Sequence, residues 1–250
     1  MRSDRRHGTT GLDANNDTII ELAIMLLFVA DDGEVLGHFG PFSWLQEPEV
    51  ELDPRITLIT GLAAQHLIGQ RIDNEFAVGL LDRADLIVAH NASFDAAFVE
   101  RRYPQLAGKP WICSCGEIDW LMLGYEGPAQ QHLLAQAGWF SNAHRAGDDV
   151  WSLFWLLVQR QRDPRSAVVR THLARLMEAS ERSTVLLQAE RAGYRFKDML
   201  KARGYSWNPD RKFWQRELPP EQVEHEQAWA YRNGLPALTE RTITACERHR

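Results

Sequence analysis

The chain has 250 residues, 44% of them hydrophobic and 25% charged, and its 34 acidic against 28 basic side chains leave a formal net charge of −6. That is ordinary globular composition, long enough for one sizeable core and a smaller appendage. It excludes a protein that coats nucleic acid through bulk positive charge, so any such contact must be local or metal-mediated.

In chain order, Ile19 to Ala30 is nearly continuous apolar sequence, Asp31-Asp32-Gly33 is a turn signal, and Glu34 to Leu45 is a second strand-like run. The pair reads as a β-hairpin. Arg55 to Leu81 carries helical spacing interrupted by glycines. Asp85 to His90 is a short buried strand, Phe94 to Arg102 a helix stopped before Pro104, and Trp111 to Ser114 a further strand. Helices are expected at Glu117–Leu123, Gln131–Ala137 and, strongly apolar, Asp148–Arg160. Strands followed by helices alternating with short strands indicate an α/β or α+β fold. Composition shifts near Arg162-Asp163-Pro164, and Ala167 to Ser180 reads as a linking helix. From Thr184 a strand, a helix over Lys197–Gly204, a turn at Asn208-Pro209-Asp210 and a strand over Lys212–Leu218 make a small separate module. The tail beyond Pro219 is polar and helical in pattern. The expected domains are therefore 1–163, a helical linker over 164–183, and 184–250.

The three cysteines, Cys113, Cys115 and Cys246, fit reduced thiols of a cytosolic protein rather than a disulfide framework. Cys113-x-Cys115 has no second cysteine pair and no histidine at zinc spacing, so these thiols read as buried or idle. The charged N-terminus does not look like a secretory leader, and no apolar run reaches the roughly 20 residues of a membrane helix. A cytoplasmic protein with no membrane partner is the expectation.

Three stretches carry chemistry: Thr9-Thr10-Gly11-Leu12 running into "DTIIELA", His90-Asn91-Ala92-Ser93-Phe94-Asp95, and His144-Arg145-Ala146-Gly147-Asp148-Asp149. Each has a bland reading. Ser93 can cap a helix with Asp95 in its first turn, and Asp148 and Asp149 can do the same for the next helix. Their order and context point further. Over roughly residues 9 to 160 the chain resembles the DEDDh family of 3′–5′ exonucleases, which includes proofreading exonuclease subunits and ribonuclease T. "HNASFD" is similar to the family's second motif, and "HRAGDD", with Asp149 five residues after His144, is similar to its third. The resemblance implies a ribonuclease H-like mixed α/β sheet flanked by helices. It also implies 3′–5′ hydrolysis of nucleic acid at a centre of two Mg²⁺ or Mn²⁺ ions, about 4 Å apart in such sites. Mg²⁺ takes hard oxygen ligands, which accounts for a carboxylate cluster. By resemblance, Asp95 and Asp149 are metal ligands and His144 is the general base, suited by an ordinary pKa of about 6.5. Thr10, Gly11 and Leu12 would hold the terminal nucleotide, and His90, Asn91 and Phe94 would shape the 3′-end pocket. The implied partner is a single-stranded DNA or RNA 3′ end, with association to a DNA polymerase a further expectation from the proofreading relatives.

The start departs from the pattern. Aligning Thr9 to Leu12 puts Arg6 where the family has its first Asp and Gly8 where it has its Glu, and Met1 to Gly8 is not an apolar strand. A guanidinium cannot bind Mg²⁺, and Asp4, Asp13 and Asp17 stand at the wrong offsets. The octapeptide can be back-translated as ATG CGT AGC GAT CGT CGA CAC GGA. Read one base later, these letters give Cys-Val-Ala-Ile-Val-Asp-Thr and open a Glu codon, an apolar strand ending in Asp-x-Glu. The expectation is a frame-shifted start, an exonuclease impaired as written, and exposed edges on the strands beside the missing one. The alternative is a non-catalytic pseudo-exonuclease that binds nucleic acid.

The C-terminal module loosely resembles small Lys-x-x-Gly-x-x-Trp modules of DNA-processing proteins. Arg191, Arg195, Lys197, Lys201, Arg203, Arg211, Lys212 and Arg216 lie among aromatics there. They form either a single-strand platform or a solvated basic face over an aromatic mini-core.

Overall fold

The computed structural model describes residues 8–141 and 145–249. It is a mixed α/β protein in two units, one reaching to Ala179 with His249–Arg250, the other Ser180–Arg248.

In the larger unit, β1 (Glu21–Val29) and β2 (Val35–Leu45) form the expected antiparallel hairpin, in register from Glu21↔Leu45 to Val29↔Val35. Its turn closes as the sequence demands. Gly33 takes φ +81, the left-handed region open to glycine, and Asp32 Oδ1 accepts the Glu34 amide at 3.0 Å. The glycine-interrupted stretch is three helices: α1 (Pro54–Thr60), α2 (Ala64–Leu67) and α3 (Asn74–Arg83). Asp53 and Asp73 cap the first and third through their carboxylates. β3 (Ile87–Ala89) lies parallel to β4 (Trp111–Cys113), which requires a crossover between them. α4 (Ala92–Arg102) supplies it. α5 (Gln130–Gln136) and α6 (Ala146–Val158) follow. The core joins Ile24 of β1, Leu80 and Leu81 of α3, Phe98 and Val99 of α4, and Trp111 of β4.

Two readings of this unit need correction. Glu117–Leu123 folds as a series of turns, its Glu117 carboxylate bound to the Cys113 amide at 2.8 Å. Ala167–Ser180 is not one helix: β5 (Arg160–Arg162) turns back on β6 (Val169–Thr171), and α7 (His172–Glu181) starts only there. The Thr171 hydroxyl bonds the Ala174 amide at 3.0 Å, in the manner of a helix cap.

The smaller unit is an antiparallel sheet in the order β10-β7-β9-β8, formed by β7 (Thr184–Ala189), β8 (Ser206–Asn208), β9 (Phe213–Leu218) and β10 (Thr239–Ile243). It packs α8 (Lys197–Ala202) and α9 (Pro220–Arg232) around Leu187, Leu200, Leu218 and Leu235. β10 falls in the tail that reads as wholly helical. Among the described residues, no helix is long and apolar enough to cross a membrane.

Candidate active site and its surroundings

The first turn of α6 is tied to β1 through one buried carboxylate. Glu21, at the start of β1, is 4% exposed. It accepts the Ala146 amide at 3.1 Å and pairs with the Arg145 guanidinium at 3.1 Å. The first turn of a helix has amides with no internal partner, and here a strand distant in sequence supplies the acceptor. Asp149, in that turn, is buried at 9% exposure, its amide bonded to the Arg145 carbonyl and its own carbonyl held by Gln130 Nε2 at 2.8 Å.

Asp95 stands in the first turn of α4. The residue that opens this helix is Asn91, at φ 94, and not Ser93, which lies inside the first turn and is exposed. The amides of Asn91 and Ala92 donate to Cys113 Sγ at 3.3 and 3.4 Å. His90 is buried, its Nδ1 2.8 Å from Ser114 Oγ. Phe94 packs on Phe98 with ring centroids 4.8 Å apart.

The Thr9–Leu12 segment is clasped to the start of β1. Thr9 bridges Ile19 in antiparallel sense, and the Gly8 carbonyl accepts the Ile20 amide at 2.7 Å and the Glu21 amide at 3.1 Å. Thr10 Oγ1 bonds Asp17 at 3.0 Å and accepts the Thr18 amide. A side chain at Gly11 would strike the Asp17 carboxylate. Leu12 is half exposed.

Gly8, Thr9, Phe94, Asp95 and Asp149 all line one cavity of about 1040 Å³, with Glu21 beside them. Three stretches far apart in sequence thus converge. Thr10, Gly11, Leu12, His90 and Asn91 do not line it; the Thr10 and His90 side chains are bonded to Asp17 and Ser114 instead. His144 lies outside the described residues. Among the described residues, no three His, Cys, Asp or Glu side chains form a group that could hold a metal ion. These residues therefore do not fit a two-ion centre by themselves.

A family model described as Exonuclease, RNase_T, matches residues 9–152, more than half of the chain. The chain belongs to this exonuclease family. The match begins at Thr9, just beyond Arg6 and Gly8. Within the family, the chain is 32% identical to the PolC-type DNA polymerase III of Thermotoga petrophila over 106 residues, 41% of this chain and 7% of that protein. It is 34% identical to that of Staphylococcus haemolyticus over 119 residues, 46% of this chain and 8% of that protein. The chain thus corresponds to less than a tenth of the length of these polymerases. A solved structure of exonuclease X in complex with 5′ overhanging duplex DNA aligns at TM-score 0.43 and 19% identity, covering 69% of this chain and 87% of that one.

Two residues of this exonuclease-family chain escape the motif reading. A Glu within "IIELAIMLL" signals a buried charge with a partner, but not that the partner is α6. Cys113, read as idle, has its thiol pulled down to about 5 by a hydrogen bond from Cys115 and then by the Ala92 and Asn91 amides, against the opposing effect of burial.

In the smaller unit, Arg203 and Arg216 are drawn onto buried Glu226 of α9, at 3.0 and 3.2 Å. Tyr194 and Trp207 are exposed, and Lys197 Nζ stands 5.3 Å above the Tyr194 ring. Part of the basic set is internal, and part faces solvent beside aromatics.

Proposed function

We propose that the chain is a 3′–5′ exonuclease domain acting on the end of single-stranded DNA, with its first pair of carboxylates replaced in the sequence as written. The convergence of Thr9, Asp95 and Asp149 on one cavity carries this reading. In it, Asp95 and Asp149 supply two of the carboxylates, His144 takes a proton from the attacking water, and Phe94 packs against the terminal nucleotide. Family membership supports nuclease chemistry, and the polymerase relatives support DNA over RNA and an association with replication machinery.

Divalent-ion chemistry on a phosphodiester needs more hard oxygen ligands than Asp95 and Asp149 offer. Placing Asp at position 6 and Glu at position 8 is therefore expected to raise cleavage about a thousandfold, the equivalent of several kcal/mol of transition-state stabilisation. Degradation of a 3′-labelled single-stranded oligonucleotide, with Mg²⁺ or Mn²⁺ present, tests this. Asp149→Ala in the completed chain should abolish cutting.

A second reading, a non-catalytic nucleic-acid-binding protein, is favoured by Arg6 and Gly8 and by the missing third ligand among the described residues. It requires that the chain as written bind the oligonucleotide and leave it intact.

A further inference from the structure

The first half of the smaller unit is basic in an acidic chain. Between Thr184 and Leu218 stand eight basic and four acidic side chains, whereas the whole chain carries a net charge of −6. Arg203 and Arg216 are held on Glu226. Arg191, Arg195, Lys197, Arg211 and Lys212 are exposed, and none of them forms an ion pair among the described residues.

Sheet register gathers these five cations. β7 ends at Ala189 opposite Trp214, and β8 ends at Asn208 opposite Phe213. The segment after β7, residues 190–197, and the turn between β8 and β9, residues 209–212, therefore leave the sheet at the same end. Together they hold all five cations and two acids, Glu190 and Asp210. Exposed Glu221 and Glu224 stand at the start of α9, which follows β9 from the other end, where Leu218 pairs with Val185.

Two aromatic side chains accompany the cations. Tyr194, 84% exposed, lies in the first segment. Trp207, 48% exposed, is held edge-on by Trp214 at 5.6 Å, in the register pair next to the turn. Open rings among unpaired cations fit a ligand that alternates flat bases with phosphates. An acidic peptide would use the cations alone, and a duplex hides its base faces. We propose that this end of the smaller unit's sheet binds single-stranded nucleic acid without reading its sequence, bases stacking on Tyr194 and Trp207 and phosphates meeting the Arg and Lys side chains around them. DNA and RNA share this chemistry. The site belongs to the smaller unit and stands whether or not the larger one cleaves.

Fluorescence anisotropy on the full chain tests it, with labelled oligothymidine and oligouridine of about 15 nucleotides as the two probes and EDTA present to hold off cleavage. The tighter probe names the source. Affinity is expected to fall with salt at a log–log slope of about −3, as for roughly four or five phosphates on a single strand. Tyr194→Ala and Trp207→Ala should each weaken binding about tenfold. Arg191→Glu with Arg211→Glu should weaken it by about tenfold or more and make the slope shallower by about 1.4. In the unsubstituted chain, where no variant can misfold, added oligonucleotide should slow hydrogen exchange over residues 190–197 and 206–213. Unchanged affinity in every variant, protection confined to the larger unit, equal binding of a duplex of the same length, or equal competition by an oligoglutamate peptide would overturn the proposal. The last would make this face a site for acidic peptides.

Discussion

Glu21 shows how one residue can tie a site together. Its carboxylate lies at the head of β1, satisfies the amide that opens α6, and holds Arg145 beside Asp149. Glu21→Ala leaves a buried amide without its acceptor, so a loss of about 2 kcal/mol is expected in denaturant unfolding. The cavity lined by Asp149 should loosen with it, because Asp149 rides on the same turn. His172 is a different buried group. It is fully enclosed, ringed by Trp120 at 4.8 Å and Tyr125 at 6.1 Å, and neither ring nitrogen has a hydrogen-bond partner among the described residues. Burial, with Arg175 adding to it, pushes its pKa down to about 4. An unfolded histidine titrates near 6.5, so between these values the unfolded chain holds the extra proton. The stabilisation is complete above pH 6.5 and is lost as pH falls toward 4, by about 3 kcal/mol in all. His172→Phe should flatten that slope in thermal melts taken from pH 7 to pH 4. A slope left unchanged would place the acid sensitivity elsewhere.

Among the elements, those with a local cause were the legible ones. The β1–β2 hairpin was marked by Asp31-Asp32-Gly33 between two apolar runs, and α6 by its apolar stripe. Glu117–Leu123 has helical composition, but its Glu117 carboxylate is drawn to the Cys113 amide and Trp120 Nε1 to the Ser114 carbonyl at 2.7 Å. Such tertiary bonds overrule propensity. β10 was illegible because Thr239–Ile243 is largely polar and exposed, and it becomes a strand only through pairing with β7. The hairpin turn offers a direct test. Gly33 sits at φ +81, and a side chain there would strike Ala174 of α7. Gly33→Ala is expected to cost about 2 kcal/mol or more, from the left-handed backbone and the collision together. A neutral effect in urea unfolding would mean that this turn and α7 do not pack as described.

For the molecule as a whole, the motifs were readable because spacing survives in sequence: "HNASFD" and "HRAGDD" announce helix openings with a carboxylate in the first turn. Their meeting in one cavity was expected only through the family resemblance, since no local pattern shows it: it depends on β1, β3 and α6 coming together. The division of labour among the motif residues was also hidden. Thr10 and His90 look alike in the motif to Thr9 and Asp95, yet their side chains hold neighbouring loop and strand atoms instead of lining the cavity. In the smaller unit Arg203 and Arg216 are claimed by Glu226. Glu226→Leu, which strands both guanidiniums, should therefore lower the unfolding midpoint of that unit, with exchange protection of β7 as the readout. The central claim concerns the first eight residues. The measurement that bears on it most directly is 3′-end degradation of a labelled single-stranded oligonucleotide with Mg²⁺ or Mn²⁺. It compares the chain as written, the chain with residues 1–8 replaced by Cys-Val-Ala-Ile-Val-Asp-Thr-Glu, and that replacement carrying Asp149→Ala. Cutting by the replaced chain alone is the expected result. Cutting of equal rate by the chain as written, or by the Asp149→Ala form, would contradict it.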